Sequence, residues 1–243
     1  MFQELAEFFR LYAVPGLLAA AIGYLLGSIS FSIIITRLFE RKADIRTMGS
    51  GNAGFTNVLR SVGKLPAVLT FIGDFGKGVL AVLLGRLMFQ CFSEAGAASY
   101  MELQYGAYLA GVACLFGHLF PCYFGFKGGK GVLTTAAMML LIDWRVFLIE
   151  IVIFLIIFLL TKIISLSSII AALLYPISTF CVVFFGDYLP NQNVQTHPVN
   201  LSYVIITTVI TACVAAVVVV KHHSNIRRIL HGEEKKVTSK KRS

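Results

Sequence analysis

The chain has 243 residues, of which 57% are apolar and only 14% charged, with a mean hydropathy of +0.81. A soluble domain carries about 25% charged residues, so a disordered chain, a disulfide-built secreted scaffold and an ordinary water-soluble enzyme are all excluded. The apolar residues come in long unbroken runs instead of alternating, which excludes a membrane β-barrel. The class that remains is an all-α, polytopic membrane protein with a net charge of +9.

The first residues carry Glu4 and Glu7 in place of a basic start. The apolar run behind them exceeds a signal core of roughly 7–15 residues, so it is expected to stay as the first membrane helix. A crossing helix needs about 20 residues, and runs over 12–36, 65–90, 103–124, 146–161, 166–186 and 200–220 meet that requirement. The run over 131–143 spans only about half to two-thirds of a bilayer. It predicts a re-entrant segment or a short helix shielded by protein.

The placement of Lys and Arg decides the number of crossings. Seven crossings with the N-terminus outside put 37–64, 127–130, 162 and 221–243 on the cytoplasmic side, with 17 of the 21 Lys and Arg. Arg10 and Arg145 stay outside. Six crossings would set 127–130 or 221–243 beside loops such as 187–199, which lack basic residues. The expectation is seven transmembrane helices and a cytoplasmic C-terminus, forming one membrane domain over 1–232 with a basic tail at 233–243.

The cations after Lys221 read as a solvated tail near anionic headgroups, each adding about 1 kcal/mol of attraction. No folded soluble module accompanies them, so no nucleic-acid partner is expected. Cys91, Cys114, Cys122, Cys181 and Cys213 contain no C-x-x-C pair and read as small buried apolar residues.

Polar residues gather at the cytoplasmic ends of the helices in three clusters. The first, Gly49-Ser50-Gly51-Asn52-Ala53-Gly54-Phe55-Thr56-Asn57-Val58-Leu59-Arg60, matches G-x-G-x-x-G. It follows a membrane helix and not a parallel strand, so it is no dinucleotide fingerprint. Small residues there expose backbone N–H groups, Ser50, Asn52, Thr56 and Asn57 add neutral donors, and Arg60 adds a phosphate partner. A polar loop with a capped helix is the plainer reading. The second runs from Gly117-His118 through Pro121 to Phe126-Lys127-Gly128-Gly129-Lys130-Gly131-Val132. It lacks Walker order, yet glycines alternating with lysines ahead of a short helix suit an anion. The third is Lys221-His222-His223-Ser224-Asn225-Ile226-Arg227-Arg228. If the helix continues, His222 and Asn225 share a face, as do Asn225 and Arg228. Adjacent His residues point to different faces, so no metal is called for.

Ionisable groups inside a membrane are costly and therefore informative. Asp74 and Lys77 stand one helical turn apart and are expected to pair, either as structural neutralisation or in support of the cationic site. Glu150 has no local partner. Ser165, Ser167 and Ser168 open a helix on the cytoplasmic side, as caps or as part of a headgroup site.

At the three clusters the sequence resembles the PlsY family, bacterial membrane acyltransferases that use acyl-phosphate and glycerol 3-phosphate. The likeness covers Gly49 to Arg60 with Gly63-Lys64, then Gly117-His118 with Pro121 and Phe126 to Gly131, then His222-x-x-Asn225-Ile226 with Arg228. It implies a seven-helix enzyme of the bacterial cytoplasmic (inner) membrane, with its site facing the cytoplasm. The implied reaction moves an acyl chain to the 1-hydroxyl of glycerol 3-phosphate, giving lysophosphatidic acid and phosphate. Its partners are acyl-phosphate, glycerol 3-phosphate and membrane lipids, without CoA, cofactor or metal. The His-x-x-x-x-Asp signature of CoA-dependent acyltransferases is absent after all five His.

By position, the resemblance implies Ser50, Asn52, Arg60, His222 and Asn225 as catalytic groups. Gly49, Gly51, Thr56, Asn57, Lys127, Gly128, Gly129, Lys130, Gly131 and Ser165 would bind substrate, the second motif's glycines forming the acyl-phosphate loop. Gly76 stands where the family more usually has a larger apolar residue, and the outer loops near 92–102 and 187–199 look expanded. A mixed anhydride has a good leaving group, so alignment and charge shielding suffice. Either His222 is the general base, or the substrate's phosphate takes the proton while His222 positions it. The competing class is a membrane transporter of an organic phosphate, which calls for a polar path through the outer half.

Overall fold

The computed structural model describes residues 2–41, 43–191 and 199–237. Parts of the loop at 187–199 and of the tail at 233–243 lie outside the described residues. Among the described residues every regular element is helical: α1 (Phe2–Phe8), α2 (Val14–Gly27), α3 (Phe31–Phe39), α4 (Phe55–Ser61), α5 (Lys64–Phe92), α6 (Tyr100–Leu119), α7 (Val132–Ile142), α8 (Trp144–Thr161), α9 (Ile164–Cys181), α10 (Leu201–Lys221) and α11 (His223–Leu230). Among the described residues six segments are long and apolar enough to cross a membrane: Phe2–Phe39, Lys64–Phe92, Tyr100–Phe124, Trp144–Thr161, Ile164–Tyr188 and Leu201–Lys221. The apolar helix α7 is shorter. The chain forms two compact units, Met1–Ile142 and Asp143–Ser243.

In the first unit α2, α5, α6 and α7 pack side by side. Lipid tails are as apolar as Leu, so helices associate through close backbone approach at small residues. A Cβ at Gly27 would lie 2.1 Å from the Cys114 carbonyl oxygen, and one at Gly85 would lie 2.2 Å from that of Gly106. Arg86 donates to Gln104 Oε1 (2.9 Å) and to the Leu141 carbonyl at the end of α7 (2.7 Å). Ile33, Ile45, Ala53, Val58 and Ala67 form a buried apolar cluster that anchors the first polar loop to α3, α4 and α5.

The single helix expected over 12–36 is broken. It stops at Gly27 and resumes at Phe31 as α3. The break has a physical cause that a hydropathy run does not show: the Lys77 ammonium donates hydrogen bonds to the Gly27 and Ile29 carbonyls, at 2.9 and 2.7 Å.

In the second unit α9 packs against α8 and α10. Asp143 caps α8 and, with Asp187, clamps Arg145 through hydrogen bonds of 2.7–3.0 Å. Lys162 ends α8 in the left-handed region at φ 59°, and its carbonyl accepts the Val237 amide at 2.8 Å. That bond folds the C-terminal segment back over the start of α9. The cysteines are all free, and only Cys114 is buried; Cys91, Cys181 and Cys213 are exposed. These three lie on or beside apolar helices whose outer faces are themselves Leu- and Ile-rich, so a small apolar side chain is at home there without burial.

Candidate active site

The first polar loop is built around one side chain. Asn57, on α4, is buried; its Oδ1 accepts the Ser50 amide (2.9 Å) and its Nδ2 donates to the carbonyls of Ile45, Met48 and Asn52 (3.1, 2.9 and 3.1 Å). Gly49 must be glycine: at φ 56°, a Cβ would lie 2.3 Å from Asn57 Oδ1. The Ser50 and Gly51 amides donate to Asn57 Oδ1 and the Met48 carbonyl, and the Gly54 amide to the Asn52 carbonyl. What the loop turns outward is therefore the Ser50 hydroxyl and Gly51, with Arg60 exposed one turn further along α4. Asn52 and Thr56 are half-buried beside them.

The second loop is tied to the first by a residue the sequence reading did not single out. Arg46 is held by Asp44 through Nε and Nη2, with bonds of 3.0 and 2.7 Å, and its Nη1 donates to the carbonyls of Phe124 (2.6 Å) and Lys127 (3.3 Å). Hydrogen bonds from the Arg46 side chain hold the Asp44 carboxyl below the usual carboxylate range, against the opposing effect of burial. Phe126 sits at φ 58°, a conformation rare for a large side chain. The Gly128 and Gly129 amides donate to the carbonyls of Leu119 and His118. Both glycines are pressed against that turn, and a Cβ on Gly128 would lie 1.9 Å from the His118 oxygen. Five of the N–H groups expected to form anion nests are thus engaged within the fold. The groups around them whose chemistry suits an anion are hydroxyl, amide and cationic side chains. Lys127 is exposed and Lys130 half-buried, ahead of Gly131 at φ 80°.

Behind the second loop lies a buried ionic network. Asp74 and Lys77 pair as expected, with Nζ 3.0 Å from Oδ1, and Lys77 Nζ also lies 3.0 Å from His118 Nδ1.

In the second unit the third cluster closes around Glu234, also missed in the sequence. Its carboxylate accepts from Ser165 Oγ (2.7 Å), Asn225 Nδ2 (2.7 Å) and Arg228 Nε (2.6 Å). Burial pushes this carboxyl up, but the three hydrogen bonds outweigh it and hold it below the usual value. The helix does not continue through the cluster: it breaks at His222 between α10 and α11. His222 is buried, and its Nδ1 lies 2.7 Å from the Val218 carbonyl. A carbonyl only accepts, so Nδ1 carries the proton and Nε2 of the neutral ring is the acceptor nitrogen. Ser167 and Ser168 bond back to the carbonyls of Ile163 and Ile164, leaving Ser165 as the hydroxyl of that trio in the cluster.

Apolar helices of spanning length, polar loops at their ends and side chains suited to phosphate define an integral membrane protein that handles anionic ligands. A family model described as glycerol-3-phosphate acyltransferase matches residues 17–232, and the chain belongs to that family. The glycerol-3-phosphate acyltransferase of Prochlorococcus marinus (strain MIT 9215) is 37% identical over 214 residues, covering 88% of this chain and 93% of that protein. The one of Pseudomonas putida (strain W619) is 46% identical over 154 residues, 63% of this chain and 75% of that protein. A crystal structure of PlsY, an integral membrane glycerol 3-phosphate acyltransferase in its glycerol 3-phosphate form, superposes with a TM-score of 0.70 at 33% identity, covering 92% of this chain and 96% of that one. The lysophosphatidic acid form of PlsY gives 0.68, covering 92% and 95%.

Proposed function

We propose that this family member transfers an acyl group from acyl-phosphate to the 1-hydroxyl of glycerol 3-phosphate at the cytoplasmic face of a bacterial inner membrane. The observation that carries the chemistry is the contact of His222 Nδ1 with the Val218 carbonyl, which puts the ring proton on Nδ1 and orients the imidazole as a positioning group for glycerol 3-phosphate. The hydroxyl oxygen bonds to the acyl carbon, the acyl C–O bond of the mixed anhydride breaks, and phosphate leaves with the electron pair. The hydroxyl proton goes to the departing phosphate, while His222 fixes the line of attack. Arg60, Lys127 and Lys130 offset the phosphate charges, with Ser50, Asn52 and Thr56 as neutral donors. Asn57 and the loop glycines shape the first and second loops. Ser165 and Asn225, both held in place by Glu234, are assigned to the same reaction.

The orientation rests on charge: 17 of 21 Lys and Arg fall on one side when α7 is counted as a seventh, protein-shielded crossing. Transport is disfavoured by the outer half, where the ionisable groups are engaged structurally. Arg86 is bound to Gln104 and Leu141, Arg145 to Asp143 and Asp187, and Glu150 accepts from Ser178 at 2.6 Å.

A pH–rate profile of His222→Gln tests the role given to His222. A large fall in turnover with the shape of the profile unchanged is expected. Loss of an ionisation near neutrality relative to wild type would make His222 the base instead.

A further inference from the structure

Lys77 lies in the membrane-spanning part of α5, and its side chain is 2% exposed. An ammonium has three protons, and the structure supplies three directed acceptors: the Gly27 carbonyl at 2.9 Å, the Ile29 carbonyl at 2.7 Å and His118 Nδ1 at 3.0 Å. Asp74 Oδ1 lies 3.0 Å from Nζ and 3.6 Å from His118 Nδ1, with no directed hydrogen bond to either; it supplies charge to both. Accepting from Lys77 fixes the His118 tautomer. Nδ1 carries the lone pair and Nε2 carries the proton, the reverse of His222.

His118 Nε2 faces the point where the second loop crosses the first. A Cβ at Gly129 would lie 2.2 Å from Nε2 and 2.4 Å from the Ala53 carbonyl oxygen. One peptide of the glycine–lysine loop is thus wedged between an imidazole edge and the backbone of the first loop, with no room for a methyl group.

We propose that Asp74, Lys77 and His118 are positioning residues for acyl transfer: the buried ammonium locks the imidazole, and the imidazole sets the Gly129–Ala53 crossing that places Lys127 and Lys130 against a substrate phosphate. The inference deepens the reading of this loop as a phosphate site and rests on it. The phosphate is that of the acyl donor or of glycerol 3-phosphate, and kinetics distinguish the two.

The test uses purified full-length protein with acyl-phosphate and glycerol 3-phosphate, measuring KM for each. Lys130→Met identifies which KM depends on the loop. Asp74→Asn/Lys77→Met, a neutral pair that leaves no buried charge uncompensated, is expected to raise that same KM roughly tenfold and to leave the other within about twofold. His118→Gln, whose amide stands near the place of Nε2, is expected to retain more activity than His118→Asn, whose amide stands near Nδ1. The His118 pair carries the test if the double variant does not fold. Unchanged KM values in folded variants, equal loss in both KM values, or a better-preserved His118→Asn would overturn the proposal. A wild-type protein inactive with acyl-phosphate would instead overturn the reading of the function.

Discussion

Glu234 accepts a hydrogen bond from Asn225 at 2.7 Å and so fixes the orientation of an amide assigned to the reaction. The same carboxylate holds Ser165 and Arg228, and its side chain is only 6% exposed. Hydrogen bonds to a charged group contribute about 1.5–3 kcal/mol each when the alternative is an unpaired partner. Glu234→Gln is expected to lower stability by about 2 kcal/mol near neutral pH and to reduce turnover.

The pH dependence has a definite sign. Because the folded-state carboxyl is held below its usual value, its contribution is complete above the unfolded carboxylate pKa of about 4.3 and lost as pH falls through the lower folded value. Thermal unfolding in detergent between pH 7 and pH 3 reads this directly. The gap between wild type and Glu234→Gln should narrow as the pH falls below that unfolded value; a gap independent of pH would contradict the assignment.

Arg46 joins the two loops as a fork, two nitrogens on Asp44 and a third on the Phe124 carbonyl. Lysine keeps the charge but not the fork. Arg46→Lys and Arg46→Met are therefore both expected to lose about 1–2 kcal/mol of stability and to depress turnover together. An Arg46→Lys variant with wild-type kinetics would show that charge alone suffices.

The glycine contacts separate two neighbourhoods sharply. Gly129→Ala places a methyl group on His118 Nε2 and the Ala53 oxygen, and is expected to cut turnover on the order of 100-fold. At Gly76 a Cβ meets nothing within 4 Å, so Gly76→Ala should leave activity intact. Equal activity of the two variants would remove the loop crossing from the account.

The sequence made the long helices legible because lipid demands unbroken apolar runs, and the pairing of Asp74 with Lys77 follows from their one-turn spacing. Partners distant in the chain left no such signal. Glu234 sits in a lysine-flanked stretch that reads as tail, and its partner Ser165 is 69 residues away. Asp44 and Arg46 stand two apart, a spacing with no meaning on a helix, because they belong to a short turn. The break at Ser28–Ser30 was hidden in an apolar run and is set by a lysine on another helix. Glycine spacing signalled a phosphate loop, while the structure shows the same glycines admitting close packing.

Supplying purified protein with acyl-phosphate and glycerol 3-phosphate and following both products tests acyl transfer itself. Equimolar lysophosphatidic acid and inorganic phosphate are expected, without any requirement for CoA. No product from acyl-phosphate, with acyl-CoA serving as donor or with labelled glycerol 3-phosphate carried across a vesicle membrane, would contradict it.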